Sequence, residues 1–196
     1  KTINHAAKVV QAGDIVLVKK GEYFESANNA PDLYNAIGCE SGTIGVYIAT
    51  SGEPERPIIF KAHPGHRVKV RAKKKPFVIW CANYIVIDGF ITESQNHNHP
   101  SEGGIYVKGR YITIQDCECI GHYVDSSDNH AAIYIVGDSE NIVIRNCIIH
   151  GTKGGHNSHC IKSYEADNVL IEHNEIYDCW GGIQPKGAGT ENWVIR

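Results

Sequence analysis

Methionine is absent from all 196 residues, and residue 1 is Lys, so the chain does not open on a translation start. No signal-peptide pattern opens it either. That leaves a removed leader or an internal piece of a longer protein. The last residues, ENWVIR, stop inside a strand pattern. The expectation is therefore one domain over residues 1–196, truncated on its C-terminal side. Long apolar runs are also missing: none approaches the roughly 18 residues of a membrane span. There is no basic excess, since the formal net charge is −3, which argues against a nucleic-acid partner. CxxC pairs are absent, and the seven cysteines, an odd number, cannot all pair within one chain. The redox compartment and the oligomeric state are not readable from the sequence.

What is present is a repeat. The segments NYIVID, RYITIQ, NIVIRN, NVLIEH and NWVIR share one pattern, and Ile87, Ile114, Ile144, Ile171 and Ile195 align with steps of 27, 30, 27 and 24 residues. These steps are short for propeller blades, and the units lack the helical pattern of ankyrin or tetratricopeptide repeats. Apolar and polar residues alternate and β-branched residues dominate, as strands require. Before each strand stands Tyr84, Tyr111, Asn141, Asn168 or Asn192. Stacked Asn side chains can hydrogen-bond along such a column.

A second column, GIYV, AIYI, CIKS and GIQP, aligns Ile105, Ile133, Ile161 and Ile183, and a third runs near Cys119, Ile149 and Ile176. Phase-locked strand columns separated by variable loops describe a solenoid, with coils about 4.8 Å apart. The reading is an all-β, right-handed parallel β-helix. INHAAKVVQAGD carries apolar residues at Ile3, Ala6, Ala7 and Val10, a short amphipathic helix ending at Gly13 and placed to cap the open end of the solenoid. SGEPERPIIFKAHPGHRVKV reads as a strand pair across a turn at Pro64-Gly65. Cys117 and Cys147, each three residues after an aligned Ile, should stack as buried thiols or pair between coils.

KTINHAAKVVQAGDIVLVKKGEYFE, EPERPIIFKAHPGHRVKV and the first NYIVIDG coil resemble the pectate lyase-like superfamily. The nearest groups are those of the family 9 pectate lyases and of chondroitinase B and alginate lyase. The resemblance covers nearly the whole chain. It implies a secreted, extracellular protein that cleaves uronic-acid polysaccharides by β-elimination. In that chemistry a Lys or Arg removes the proton next to the carboxylate, and calcium usually neutralises the carboxylate. It places the site on the outer face of the GIYV column. Some relatives are hydrolases, isomerases or non-catalytic binders, so fold alone does not fix activity.

Strand alternation points Tyr106, Tyr134, Lys162 and Gln184 outward, and two places on Lys108, Val136, Tyr164 and Lys186. The expected groove is an exposed face with Lys162 and Lys186 as catalytic residues and Tyr106, Tyr134, Lys108 and Tyr164 as substrate-binding residues. Aromatic rings offer a platform for sugar faces, and lysines offer charge for an acidic polysaccharide. A neighbouring cation or desolvation would bring a Lys base toward neutrality. Calcium wants several carboxylate oxygens. Asp125 and Asp128, in HYVDSSDNH, are the candidate ligands, although no three acids fall in a binding spacing. Eleven histidines, with His97, His99, His122, His130, His150, His156, His159 and His173 after residue 95, leave a metal-binding or acid–base role for these loops open. A glycoside hydrolase is disfavoured because no outward column holds two acids. The remaining alternative is a non-catalytic polysaccharide-binding or structural surface β-helix.

Overall fold

The computed structural model describes residues 2–28, 42–95, 103–121 and 130–196. The β-branched alternation of the repeats settles into strands that pair only with the equivalent strand one coil away, in parallel. The three columns become three sheets of seven, six and six strands. In the first sheet Ile87, Ile114, Ile144, Ile171 and Ile195 stand in direct register. In the second, Ile105, Ile133, Ile161 and Ile183 do the same. In the third, Cys119, Ile149 and Ile176 are stacked. Apart from Ile195, which is exposed at the last strand, these residues join Phe60, Phe77 and Phe90 in one continuous core along the axis, with Ile176 and Ile183 partly buried against it. The parallel β-helix, about five turns long, is the fold read from the repeat.

The corners explain the residues that precede each strand of the first sheet. Tyr84, Tyr111, Asn141, Asn168 and Asn192 all have φ between 52° and 58°. Asn tolerates this left-handed region, whereas Tyr is normally disfavoured there. The two Tyr rings stack on each other, with centroids 4.5 Å apart and planes 3° apart. Further along the column, Asn168 donates its side-chain amide to the Asn141 oxygen. The expected Asn ladder is thus present between these two coils.

The N-terminal helix runs Ile3–Ala7 and buries Ile3 and Ala7. It ends six residues before Gly13, and Val10 is buried from outside the helix. Thr2 caps it by accepting from the His5 amide at 3.0 Å. The buried Glu25 carboxylate accepts from the amides of Ile3 and Asn4, at 2.9 and 3.1 Å. The Asn4 side-chain oxygen accepts from the Tyr47 amide, which ties the cap to strand Ile44–Ile48. Strands Ile58–Ala62 and Val68–Ala72 flank the turn at Gly65, but they join different sheets. That turn is a solenoid corner and not a hairpin. Among the described residues, no helix is long and apolar enough to cross a membrane.

Cys117 and Cys147 are buried free thiols, as is Cys119. The Cys117 thiol is raised well above its ordinary pKa by its hydrogen bond with Cys147 and by burial. Cys160 and Cys179 form a disulfide, with Cα atoms 5.7 Å apart. The repeat alignment did not indicate this pair.

Because like stacks on like, one truncation opens a void between two neighbours of the same shape. Ile144→Ala, at a fully buried position, is expected to lower stability by about 2–5 kcal/mol. Urea unfolding of the variant and the parent checks this. A loss below about 1 kcal/mol would mean that the column is loosely packed.

Candidate functional site

The second sheet carries the candidate site on its outer face. Val78, Tyr106, Tyr134, Lys162 and Gln184 are in register there. The expected alternation holds for these positions but breaks just before them. Ala132 and Ile133 both join the inner core, while Ala131 and Tyr134 belong to the outer cluster. One coil on, Cys160 and Ile161 both lie in the core. His159, the partner of Ala131, therefore takes the outer side.

The expectation of an exposed face is corrected. Tyr106 and Tyr134 are buried, and Lys162 has no exposed surface. The reason is that these long side chains lie against one another. Trp80, Tyr106, Tyr134 and Tyr164 follow in contact, with centroid distances of 6.3, 5.5 and 6.3 Å. With Ala27, Ile44, Val78 and Ala131 they make a second, smaller core. Desolvation inside it, then the neighbouring Tyr164, pushes the Tyr134 hydroxyl pKa far up.

Cations are set against the aromatic rings. Lys75 lies over Tyr106 and Lys108 over Trp80. Lys162 and Lys186 converge on one ring, their Nζ atoms 5.7 and 5.0 Å from the Tyr164 centroid. The Lys162 Nζ also donates to the Asn157 carbonyl at 3.4 Å, a long and weak bond. Among the described residues, Lys108 and Lys186 make no ion pair with a carboxylate. On the third sheet, by contrast, Lys69 and Arg71 share Glu93 at 2.8 and 2.9 Å.

Burial, and secondarily the charge of Lys186, lowers the Lys162 pKa from 10.5 to about 8. The same environment acts on His159. Burial, then Lys162 and Lys186, lowers its pKa to about 4, so the ring is neutral at neutral pH. Its two ring nitrogens and the Gln184 side-chain oxygen are buried without a hydrogen-bond partner. The Trp180 indole stands edge-on to both His156 and His159, at 6.0 and 5.8 Å between centroids. Sequence reasoning named Lys162, Lys186, Tyr106, Tyr134, Lys108 and Tyr164, and these side chains do share one face. It did not join His159 and Trp180 to them, and the cue was the Cys160-Ile161 break in alternation.

Asp125 and Asp128 lie outside the described residues, as do His97, His99 and His122. Among the described residues, no group of three or more His, Cys, Asp and Glu could hold a metal ion. His130 is fully buried on strand His130–Ile135, and His150 stacks on Tyr177 at 4.8 Å.

The parallel solenoid defines the class of protein. The chain belongs to the right handed beta helix region family, whose model matches residues 38–196. Among solved structures it is similar to the crystal structure of pectate lyase Pel9A, at 13% identity and a TM-score of 0.47. That similarity covers 89% of this chain and 49% of the other, so this chain spans about half the length of that enzyme. No curated protein matches the chain.

The depressed lysine has a measurable consequence. Its folded pKa, about 8, lies below the 10.5 of the unfolded chain, so between these pH values the unfolded state binds more protons. Stability contributed at this site should rise with pH across that window. Lys162→Met should abolish the rise and be more stable than the parent at pH 7. Lys186→Ala should move the Lys162 titration upward, toward its ordinary value. NMR titration of labelled lysines and denaturation at stepped pH read these effects. An unchanged Lys162 titration in Lys186→Ala would show that the two ammonium groups are not coupled.

Proposed function

We propose that the protein acts on an acidic polysaccharide and cleaves it by β-elimination, with Lys162 as the base and Lys186 as the carboxylate's partner. The observation that carries this reading is the pair of lysines on the Tyr164 ring, one of them shifted to about pH 8. At neutral pH such a lysine offers on the order of a hundredfold more free amine than an ordinary one. The neutral Lys162 amine takes the proton from the carbon next to the uronate carboxylate. The electron pair left behind becomes a carbon–carbon double bond as the bond to the glycosidic oxygen breaks, and that oxygen leaves with a proton from solvent. Lys186 stabilises the charge that gathers on the carboxylate in between. Tyr164 and Lys108 line the chain's path, over the buried Tyr106 and Tyr134.

The Cys160–Cys179 disulfide supports an extracellular or otherwise oxidising location. Calcium held by Asp125 and Asp128 stays a separate proposal, and no step above runs through it. The full burial of Lys162 favours one second reading, a polysaccharide-binding β-helix without catalysis.

Ultraviolet absorbance of unsaturated products, on pectate, alginate and glycosaminoglycans with calcium or with chelator, separates these readings. The expected result is product from one substrate class, and at least a thousandfold lower rate in Lys162→Ala. Activity that survives in both Lys162→Ala and Lys186→Ala would remove the mechanism. Tight binding without product would establish the non-catalytic reading.

A further inference from the structure

Three features near Lys162 are left over by this mechanism. His159 is 5% exposed, yet neither ring nitrogen has a hydrogen-bond partner. Buried polar atoms are nearly always paired, so an unpaired donor and acceptor on one ring marks a place where a partner belongs. The ring lies over Gly181, its register partner one coil on, and a Cβ there would run into the imidazole. Trp180, the residue before, is 54% exposed. Its amide donates to the Thr152 carbonyl at 2.8 Å, which fixes the backbone, and the indole meets His156 and His159 edge-on. The His159 Nδ1 is the ring atom nearest Gly181, and the exposed indole is the neighbour whose shift would uncover the imidazole.

We propose that His159, Trp180 and His156 form a subsite for the hydroxyl-bearing face of a pyranose ring adjoining the uronate at Lys162 and Lys186, which rests on the polysaccharide role proposed above. The chemistry is that of a sugar ring. A flat indole takes its C–H face. A neutral imidazole, with its donor and its acceptor on different edges, takes one sugar hydroxyl at a single ring nitrogen. A carboxylate would go instead to the lysines. The hydroxyl pattern of the neighbouring sugar is then read at His159, separately from the charge read at Lys186.

The test is binding to the Lys162→Ala protein, in which catalysis is removed. The probes are hexasaccharides of galacturonate, mannuronate, guluronate and chondroitin, followed by tryptophan fluorescence and by calorimetry. The expected result is a fluorescence change on binding that is lost in Trp180→Leu. Binding should weaken about tenfold in His159→Gln and in Trp180→Leu, as loss of a hydrogen bond or an aromatic contact implies. Gly181→Ala should give a similar loss by displacing the ring. Trp180 is exposed, so its variant keeps the fold even if a change at His159 does not.

Equal affinity in Trp180→Leu and the parent would overturn the subsite, whatever the lyase assay shows. Binding that weakens in these variants while no substrate yields product would uphold the subsite and sink the lyase reading. No binding of any hexasaccharide would overturn both.

Discussion

Everything in this molecule depends on parallel pairing between equivalent residues of successive coils. A backbone that hydrogen-bonds only to its own repeat, about 4.8 Å away, forces each side chain to sit on the side chain of the same column. Inside, this makes the aligned isoleucines into continuous apolar rows. At the corners it makes left-handed residues recur, and there the Tyr84–Tyr111 stack and the Asn141–Asn168 bond join neighbouring coils. Outside, the same rule gathers Tyr106, Tyr134 and Lys162 into one row, whether or not their charges and polarity suit one another.

The candidate site is the result of that rule meeting an unfavourable neighbour. Lys162 stacks on an aromatic residue, Tyr134, and shares Tyr164 with a second cation, Lys186. Nothing in local strand preference asks for a lysine there. The protein holds it at a cost that shows as a lowered pKa, and the ring quadrupole of Tyr164 recovers part of it. Where the third sheet has the same problem, at Lys69 and Arg71, Glu93 resolves it by ion pairing. On the second sheet, by contrast, Lys108 and Lys186 make no ion pair with a carboxylate among the described residues.

The rows of isoleucine were legible because alternation and spacing are one-dimensional signals, and the sequence carries both. The partners Ile105, Ile133, Ile161 and Ile183 needed no further information. The burial of Lys162 was not legible, because it depends on how long side chains from four coils fold over one another. His159 was read as a loop residue, whereas it lies on strand Ser158–Ser163. A strict two-residue period sends Cys160 outward, and the paired inward turn of Cys160 and Ile161 reverses that. The disulfide was hidden because Cys160 and Cys179, 19 residues apart, occupy no common column. Cys117 and Cys147, which do share a column, are free thiols.

The steps between aligned isoleucines vary from 24 to 30 residues, yet the register never slips. Length changes are therefore absorbed wholly between strands, and the strands behave as marks at fixed intervals on a rod. Adding or deleting a coil would lengthen or shorten the outer face by one interval and leave every other mark in place. Such a scaffold changes length only in whole units of its own repeat. Chain length and local chemistry can then vary independently from one member of the architecture to the next.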